Sequence, residues 1–146
     1  MINSLNALAN ESVVIGRNVL SMMADRKKIT AIVDIGAPHG SKCDSWGWGA
    51  EKRCPKTAVL SVSLTVNEEL VFIRSSAFSD LGSPKKLLLT ENKGKYCLTI
   101  RGGDAAGSYV AILQFSQAGL EYRKVASGEF PDDAWEETFY GYPTFE

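Results

Sequence analysis

The sequence has little histidine, no long apolar run and no excess of either charge. His39 is the only histidine among 146 residues, which excludes sites built from several imidazoles. No segment approaches the roughly 18 consecutive apolar residues of a membrane-spanning helix, so we expect no membrane insertion. Sixteen basic and seventeen acidic residues leave a net charge of −1, which offers nucleic acid no overall attraction. We therefore expect no nucleic-acid binding.

The residues that are present fit one folded domain. Hydrophobic residues make up 45% of the chain, which is typical of a globular protein with its own core and argues against disorder. We divide the single domain, residues 1–146, into three parts. These are a helical or irregular N-terminal segment at 1–28, an antiparallel β core at 29–128, and an acidic aromatic segment at 129–146.

Apolar and polar residues alternate through most of the central segment. In the clearest run, residues 57–66, the leucine and valine side chains are expected to share one face: Leu60, Val62, Leu64 and Val66. Turn sequences separate such runs at intervals of about 8–12 residues. This spacing predicts a mainly β fold, an antiparallel meander forming a β-sandwich or a barrel-like sheet.

One helix is predicted before the core and a short one after it. Ile15, Val19 and Met22 approximate a helical stripe, although Val13 to Gly16 also fits a strand. Near the C-terminus, Pro131 followed by acidic residues favours a short helix, because the free N–H groups of a first helical turn attract negative charge. Residues 138–142 can then add an edge strand.

Three cysteines leave alternatives for pairing and compartment. Cys43 and Cys54 bracket a turn-rich segment and could form a disulfide, with Cys97 left as a small buried hydrophobe. Alternatively, all three are reduced thiols, or they bind zinc together with His39. A bridged Cys43–Cys54 pair implies a bacterial periplasmic or secreted protein, whereas reduced thiols imply a cytoplasmic one.

The usual catalytic patterns are not found. His39 is the only possible imidazole base, and no serine lies in a Gly-x-Ser-x-Gly sequence. The carboxylate pairs Asp132/Asp133 and Glu136/Glu137 are adjacent on one segment, where side chains usually point in different directions into water. We predict no metal and no cofactor, and we favour a non-enzymatic role over a small hydrolase that uses His39 and Cys43.

Charge is unevenly distributed along the chain. Residues 129–146 contain six acids and no Lys or Arg, whereas residues 1–128 contain 16 basic and 11 acidic residues, for a net charge of +5. The acidic segment is also rich in aromatic side chains, including Trp135. A negative surface with aromatic anchors suits a protein partner that carries a basic surface.

These observations predict a protein-binding module, such as an inhibitor or immunity-type protein that occludes a basic partner. The alternative is a carbohydrate- or envelope-binding β-sandwich that uses exposed tryptophans at 46 and 48, which glycines flank. We expect a monomer or a weak homodimer. The predicted partner-binding residues are Trp46, Trp48, Asp132, Asp133, Trp135, Glu136 and Glu137.

Overall fold

The computed structural model describes residues 7–38, 46–50 and 54–141, and these residues form ten β-strands. The strands are β1 (Ala7–Ser12), β2 (Gly16–Ala24), β3 (Lys27–Gly36), β4 (Ala58–Val66), β5 (Glu69–Val71), β6 (Pro84–Asn92), β7 (Lys95–Gly102), β8 (Tyr109–Ser116), β9 (Gly119–Ser127) and β10 (Ala134–Phe139). Two short 3-10 turns, Ser75–Ala77 and Ala105–Gly107, interrupt the connections. Within these ranges no helix is long and apolar enough to cross a membrane.

The strands form two antiparallel sheets. The larger sheet has the order β1-β6-β7-β8-β9-β10, and the smaller has the order β2-β3-β4-β5. The prediction of a mainly β, antiparallel fold is confirmed. The two sheets do not close into a barrel, and this arrangement is consistent with the sandwich alternative.

Both sheets contribute to one hydrophobic core. Along β3 the residues alternate, so that Ile29, Ala31 and Val33 are buried and the residues between them are only partly covered. Leu87 and Leu98 of the larger sheet are fully buried in the same cluster. Burying a leucine side chain contributes about 2 kcal/mol to folding. The alternation of buried and exposed residues on both sheets therefore stabilises their packing against each other.

The predicted N-terminal helix is wrong, because residues 16–24 form strand β2. Leu20, Met22 and Ala24 are buried with period two, and Leu20 pairs with Ala31 of β3. The side chain of Asn18 is buried, and its amide nitrogen donates to the carbonyl oxygen of Val33 at 3.1 Å. Cross-strand pairing therefore overrides the local helical stripe.

The predicted C-terminal helix is also wrong. A turn at residues 131–133 leads into β10, which runs from Ala134 to Phe139 and begins earlier than the expected edge strand. Glu137 pairs with Lys124 and Thr138 with Arg123 on β9. Backbone pairing with a neighbouring strand satisfies more groups than one helical turn can, and it outweighs the local preference of the acidic residues.

One core prediction fails because of a β-bulge. The pairing of β3 with β4 shifts between Asp34 and Ile35, so that Ile35 lies opposite Val59. Val59 is consequently buried and Leu60 is 37% exposed, whereas Val62 keeps its predicted inward position. An extra residue at a bulge reverses the faces of the residues beyond it.

Candidate functional site

The loop before β10 is held in place by hydrogen bonds to a buried serine. The hydroxyl oxygen of Ser127 accepts the backbone N–H groups of Glu129 at 3.2 Å and Phe130 at 3.1 Å. The N–H of Ser127 in turn donates to the carbonyl oxygen of Asp133 at 3.0 Å. Phe130 is 68% exposed at the tip of this ordered loop. These hydrogen bonds therefore hold the backbone of the loop, from which the Phe130 ring projects into solvent.

Carboxylates surround the exposed rings of this region. We use the term acidic edge for residues 128–139, which comprise the loop and strand β10. Its exposed carboxylates belong to four residues: Glu129, Asp132, Asp133 and Glu137. The acidic edge contains no Lys or Arg. Its negative potential would attract and orient a basic surface.

The remaining carboxylate, Glu136, forms an ion pair with a buried arginine. The side chain of Arg123 is only 2% exposed, and its Nη2 lies 2.8 Å from Oε1 of Glu136 and 2.7 Å from Oδ2 of Asp80. Nη1 of Arg123 also donates to the carbonyl oxygens of Ser76 and Ala77. Burial opposes the charge on Arg123, but the two carboxylates outweigh it and raise the pKa of the guanidinium. Arg123 thus ties β10 to the turn after β5.

The tryptophan segment folds onto the same region. The ring of Trp48 stacks on that of Trp135, with centroids 5.2 Å apart and ring planes at 19°. The N–H of Trp48 donates to the carbonyl oxygen of Asp80 at 2.8 Å. A Cβ atom at Gly47 would lie 2.6 Å from Cβ of Asp80, so only glycine permits this close approach. Trp48 and Asp80 thereby link the segment to the Arg123 ion pairs.

The tryptophans at 46 and 48, which the carbohydrate-binding alternative requires to be exposed, are partly covered in the structure. Both side chains are half-buried, and Trp48 also packs against the core. The indole N–H of Trp46 is buried and has no hydrogen-bond partner among the described residues. The stack with Trp135 covers one face of Trp48, which reduces the area that a sugar ring could stack on.

The outer face of the larger sheet carries a second group of aromatic and acidic side chains at the end of β10. The rings of Tyr122 and Phe139 lie 4.9 Å apart, and the Tyr122 hydroxyl donates to Oε1 of Glu137 at 3.0 Å. Phe139 is 77% exposed. These residues line a shallow cavity of about 360 Å³ together with Gln114 and Glu121.

The structure therefore brings several predicted site residues together and assigns one of them a different role. Trp48, Trp135 and Glu136 converge at one end of β10, as neighbours of Asp80 and Arg123. Sequence reasoning missed Arg123, although an arginine at an inward-facing strand position is a signal of a buried ion pair. It also did not select Phe130 or Phe139 as anchors.

The predicted cysteine sites lie partly outside the described residues. Cys97 is described and is free. Cys43 and His39 lie outside the described ranges, so the Cys43–Cys54 pairing, the zinc alternative and the hydrolase alternative stay predictions. Burial raises the pKa of the Cys97 thiol, which keeps it protonated at neutral pH.

Comparisons of the chain with protein-family models, curated proteins and solved structures found no match.

Proposed function

We propose that this protein is a non-enzymatic binding module that occludes a basic partner with its acidic edge, in the manner of an inhibitor or immunity-type protein. One observation carries the proposal. Two exposed aromatic rings, Phe130 and Trp135, lie among four exposed carboxylates on a segment that contains no basic residue. Aromatic anchors supply contact area, and carboxylates steer a basic surface toward them.

Preorganisation of the acidic edge supports this role. Ser127 holds the loop that carries Phe130, and Trp48 supports the ring of Trp135 from behind. A side chain that is already fixed loses little conformational entropy on binding, which leaves more of the contact energy for affinity. These contacts support an acidic edge whose backbone and Trp135 ring are ordered before a partner binds.

Glu136 takes a positioning role in this proposal. Its carboxylate already pairs with Arg123. Removing it would disturb the buried guanidinium as well as any partner contact, so its loss cannot report on binding alone. The carboxylates proposed to face the partner are Glu129, Asp132, Asp133 and Glu137.

The Cys43–Cys54 disulfide forms part of the same proposal. Such a bond would close the short segment that carries Trp48, and closing a loop of this size restricts the unfolded chain by about 2–3 kcal/mol. It would also help to hold Trp48 against Trp135. A disulfide at this position would indicate that the protein is located in an oxidising compartment, such as the periplasm or the extracellular space, and that its partner is located there too.

The experiment measures binding to a panel of basic proteins, namely lysozyme, cytochrome c and ribonuclease A, with acidic proteins of similar size for comparison. Biolayer interferometry at about 50 and 300 mM salt gives the affinity and shows how far salt weakens its electrostatic part. A variant with Glu129→Gln, Asp132→Asn and Asp133→Asn should bind a basic protein at least about tenfold more weakly than the natural chain at low salt.

The matched control neutralises three exposed acids elsewhere, with Glu11→Gln, Asp25→Asn and Glu68→Gln. These residues lie on β1 and on the turns after β2 and β4. The control changes the net charge equally and should retain most of the affinity. Equal losses in both variants, or no binding to any basic protein at low salt, would overturn the proposal.

A further inference from the structure

Strand β10 is an edge strand with main-chain groups on its open side. Among the described strands it pairs only with β9. The N–H of Tyr140 donates to the carbonyl oxygen of Glu121 on β9 at 3.0 Å. Because hydrogen bonding alternates along an antiparallel pair, Thr138 also faces β9, whereas the N–H and C=O groups of Glu137 and Phe139 face the open side.

We propose that this open edge takes up an extended basic segment of the partner as an added β-strand. The inference rests on the proposed function, because it states how the acidic edge holds the basic partner. Main-chain hydrogen bonds to Glu137 and Phe139 would supply affinity, and side chains on alternate positions would supply specificity. The six residues of β10 are enough for one such strand.

The charge on β10 selects a basic segment over a second copy of this chain. If two copies paired antiparallel through this open edge about Glu137, the Glu137 side chains of the two copies would lie directly opposite each other. Like charges directly opposite each other destabilise a strand pair, whereas Lys or Arg opposite Glu137 would stabilise it. The occupant is therefore a partner segment with basic residues.

The outer face of the sheet sets the pattern of that segment. Glu137 and Phe139 are two residues apart and project from the same face, so the added strand would carry a basic residue and an apolar residue with the same spacing. The Tyr122 hydroxyl orients the carboxylate of Glu137. Lys124 on β9 lies directly opposite Glu137, so a basic residue of the added strand would share this carboxylate with Lys124.

The probe is a capped peptide of about ten residues in which arginine and valine take turns at every second position with threonine between them, so that both project from one face. One control peptide carries N-methyl groups along one edge, which removes its donors on that side, and a second replaces arginine with glutamate. Amide hydrogen exchange of the whole protein is followed by NMR with and without each peptide. The amides of Glu137 and Phe139 should exchange at least about tenfold more slowly with the arginine peptide, whereas Thr138, already bonded to β9, should change little.

Variants separate strand addition from charge attraction. Glu137→Gln should lower the affinity for the arginine peptide by about threefold or more, and Glu68→Gln on the turn after β4 should leave this affinity unchanged. If a basic protein or the peptide binds while the Glu137 and Phe139 amides exchange as before, strand addition is wrong and the proposed function stands. If neither binds, the proposed function itself fails. Slow exchange without peptide, together with a dimer in sedimentation, would show that a second copy occupies the edge and would overturn the inference.

Discussion

The indole of Trp48 stacks on the indole of Trp135 at 5.2 Å, and this contact joins the tryptophan segment to the acidic edge. The two residues are distant in sequence and belong to different features of the chain. Their contact makes one continuous region from the two surfaces that the sequence suggested separately. The rings act as support for the edge rather than as two independent binding sites.

The tryptophan stack should contribute to stability. Trp48→Leu removes the stacked ring and part of its burial, so we expect the free energy of unfolding to fall by about 2 kcal/mol in urea titrations. Trp46→Phe is the matched control. It removes a buried N–H that has no partner among the described residues, so its cost should be smaller, below about 1 kcal/mol. Equal losses in both variants would contradict this account of the stack.

The ion pairs of Arg123 should be among the larger polar contributions to stability. Arg123→Met leaves Asp80 and Glu136 without their partner, and we expect a loss of about 3 kcal/mol in the free energy of unfolding. Glu136→Gln keeps an acceptor for the guanidinium and should cost about 1 kcal/mol. The contrast is measured by urea unfolding followed by circular dichroism. A loss below about 0.5 kcal/mol for Arg123→Met would show that the guanidinium does not hold β10.

Acid should destabilise the fold partly through two surface carboxyls. Hydrogen bonds from Lys95 lower the pKa of Glu121. The pKa of Asp34 is lowered mainly by a hydrogen bond from Arg17 and next by a hydrogen bond from Ser61. Because each pKa is lower in the folded than in the unfolded state, the ionised carboxylate stabilises the fold. This stabilisation is complete above the unfolded-state pKa, which is about 4, and it is lost as the pH falls through the folded-state pKa.

The pH experiment compares unfolding free energies at about pH 7 and pH 3. The double variant Glu121→Gln, Asp34→Asn should lose less stability over this interval than the natural chain. Glu68→Gln on the turn after β4 is the control and should follow the natural chain. Parallel curves for the double variant and the natural chain would show that neither carboxyl contributes to the acid sensitivity.

Thiol chemistry should distinguish Cys97 from the other two cysteines. Because burial raises the pKa of Cys97, its reaction with a disulfide reagent in the native protein at pH 7.5 should be at least about tenfold slower than that of glutathione. After unfolding without reductant, alkylation should label one thiol per chain, and peptide mapping should find Cys43 joined to Cys54. Three labelled cysteines would refute the proposed pairing.

The sequence was most informative where period-two alternation persists. Strands β3, β4 and β6 to β9 fall within the predicted antiparallel core, because inward side chains such as Leu64 and Leu98 recur at every second position. The sequence of strand β2 lacks such a clear alternation. Val19 and Met22 fit a helical stripe, yet in β2 they point to opposite faces, with Val19 exposed and Met22 buried, because β2 pairs with β3.

The candidate site was predictable in composition and not in geometry. The acidic residues and aromatic side chains of the segment predict a surface for a basic partner, with Trp135 as one of its anchors. Its stacking on Trp48 depends on a long-range contact that leaves no local pattern. The role of Glu136 changed because Arg123 reaches it across the β9–β10 pair, and such pairing is set by tertiary structure.

The most direct test of the central claim is the response of the three tryptophan indole N–H signals in an NMR titration with a basic protein that binds. We expect the signal of Trp135, on the acidic edge, to shift strongly and that of Trp48 to shift with it, because the two rings are stacked. Trp46, whose indole N–H is buried, should move least. A bound complex in which Trp135 and the backbone amides of residues 128–139 keep their free positions would contradict the claim that the acidic edge is the binding surface.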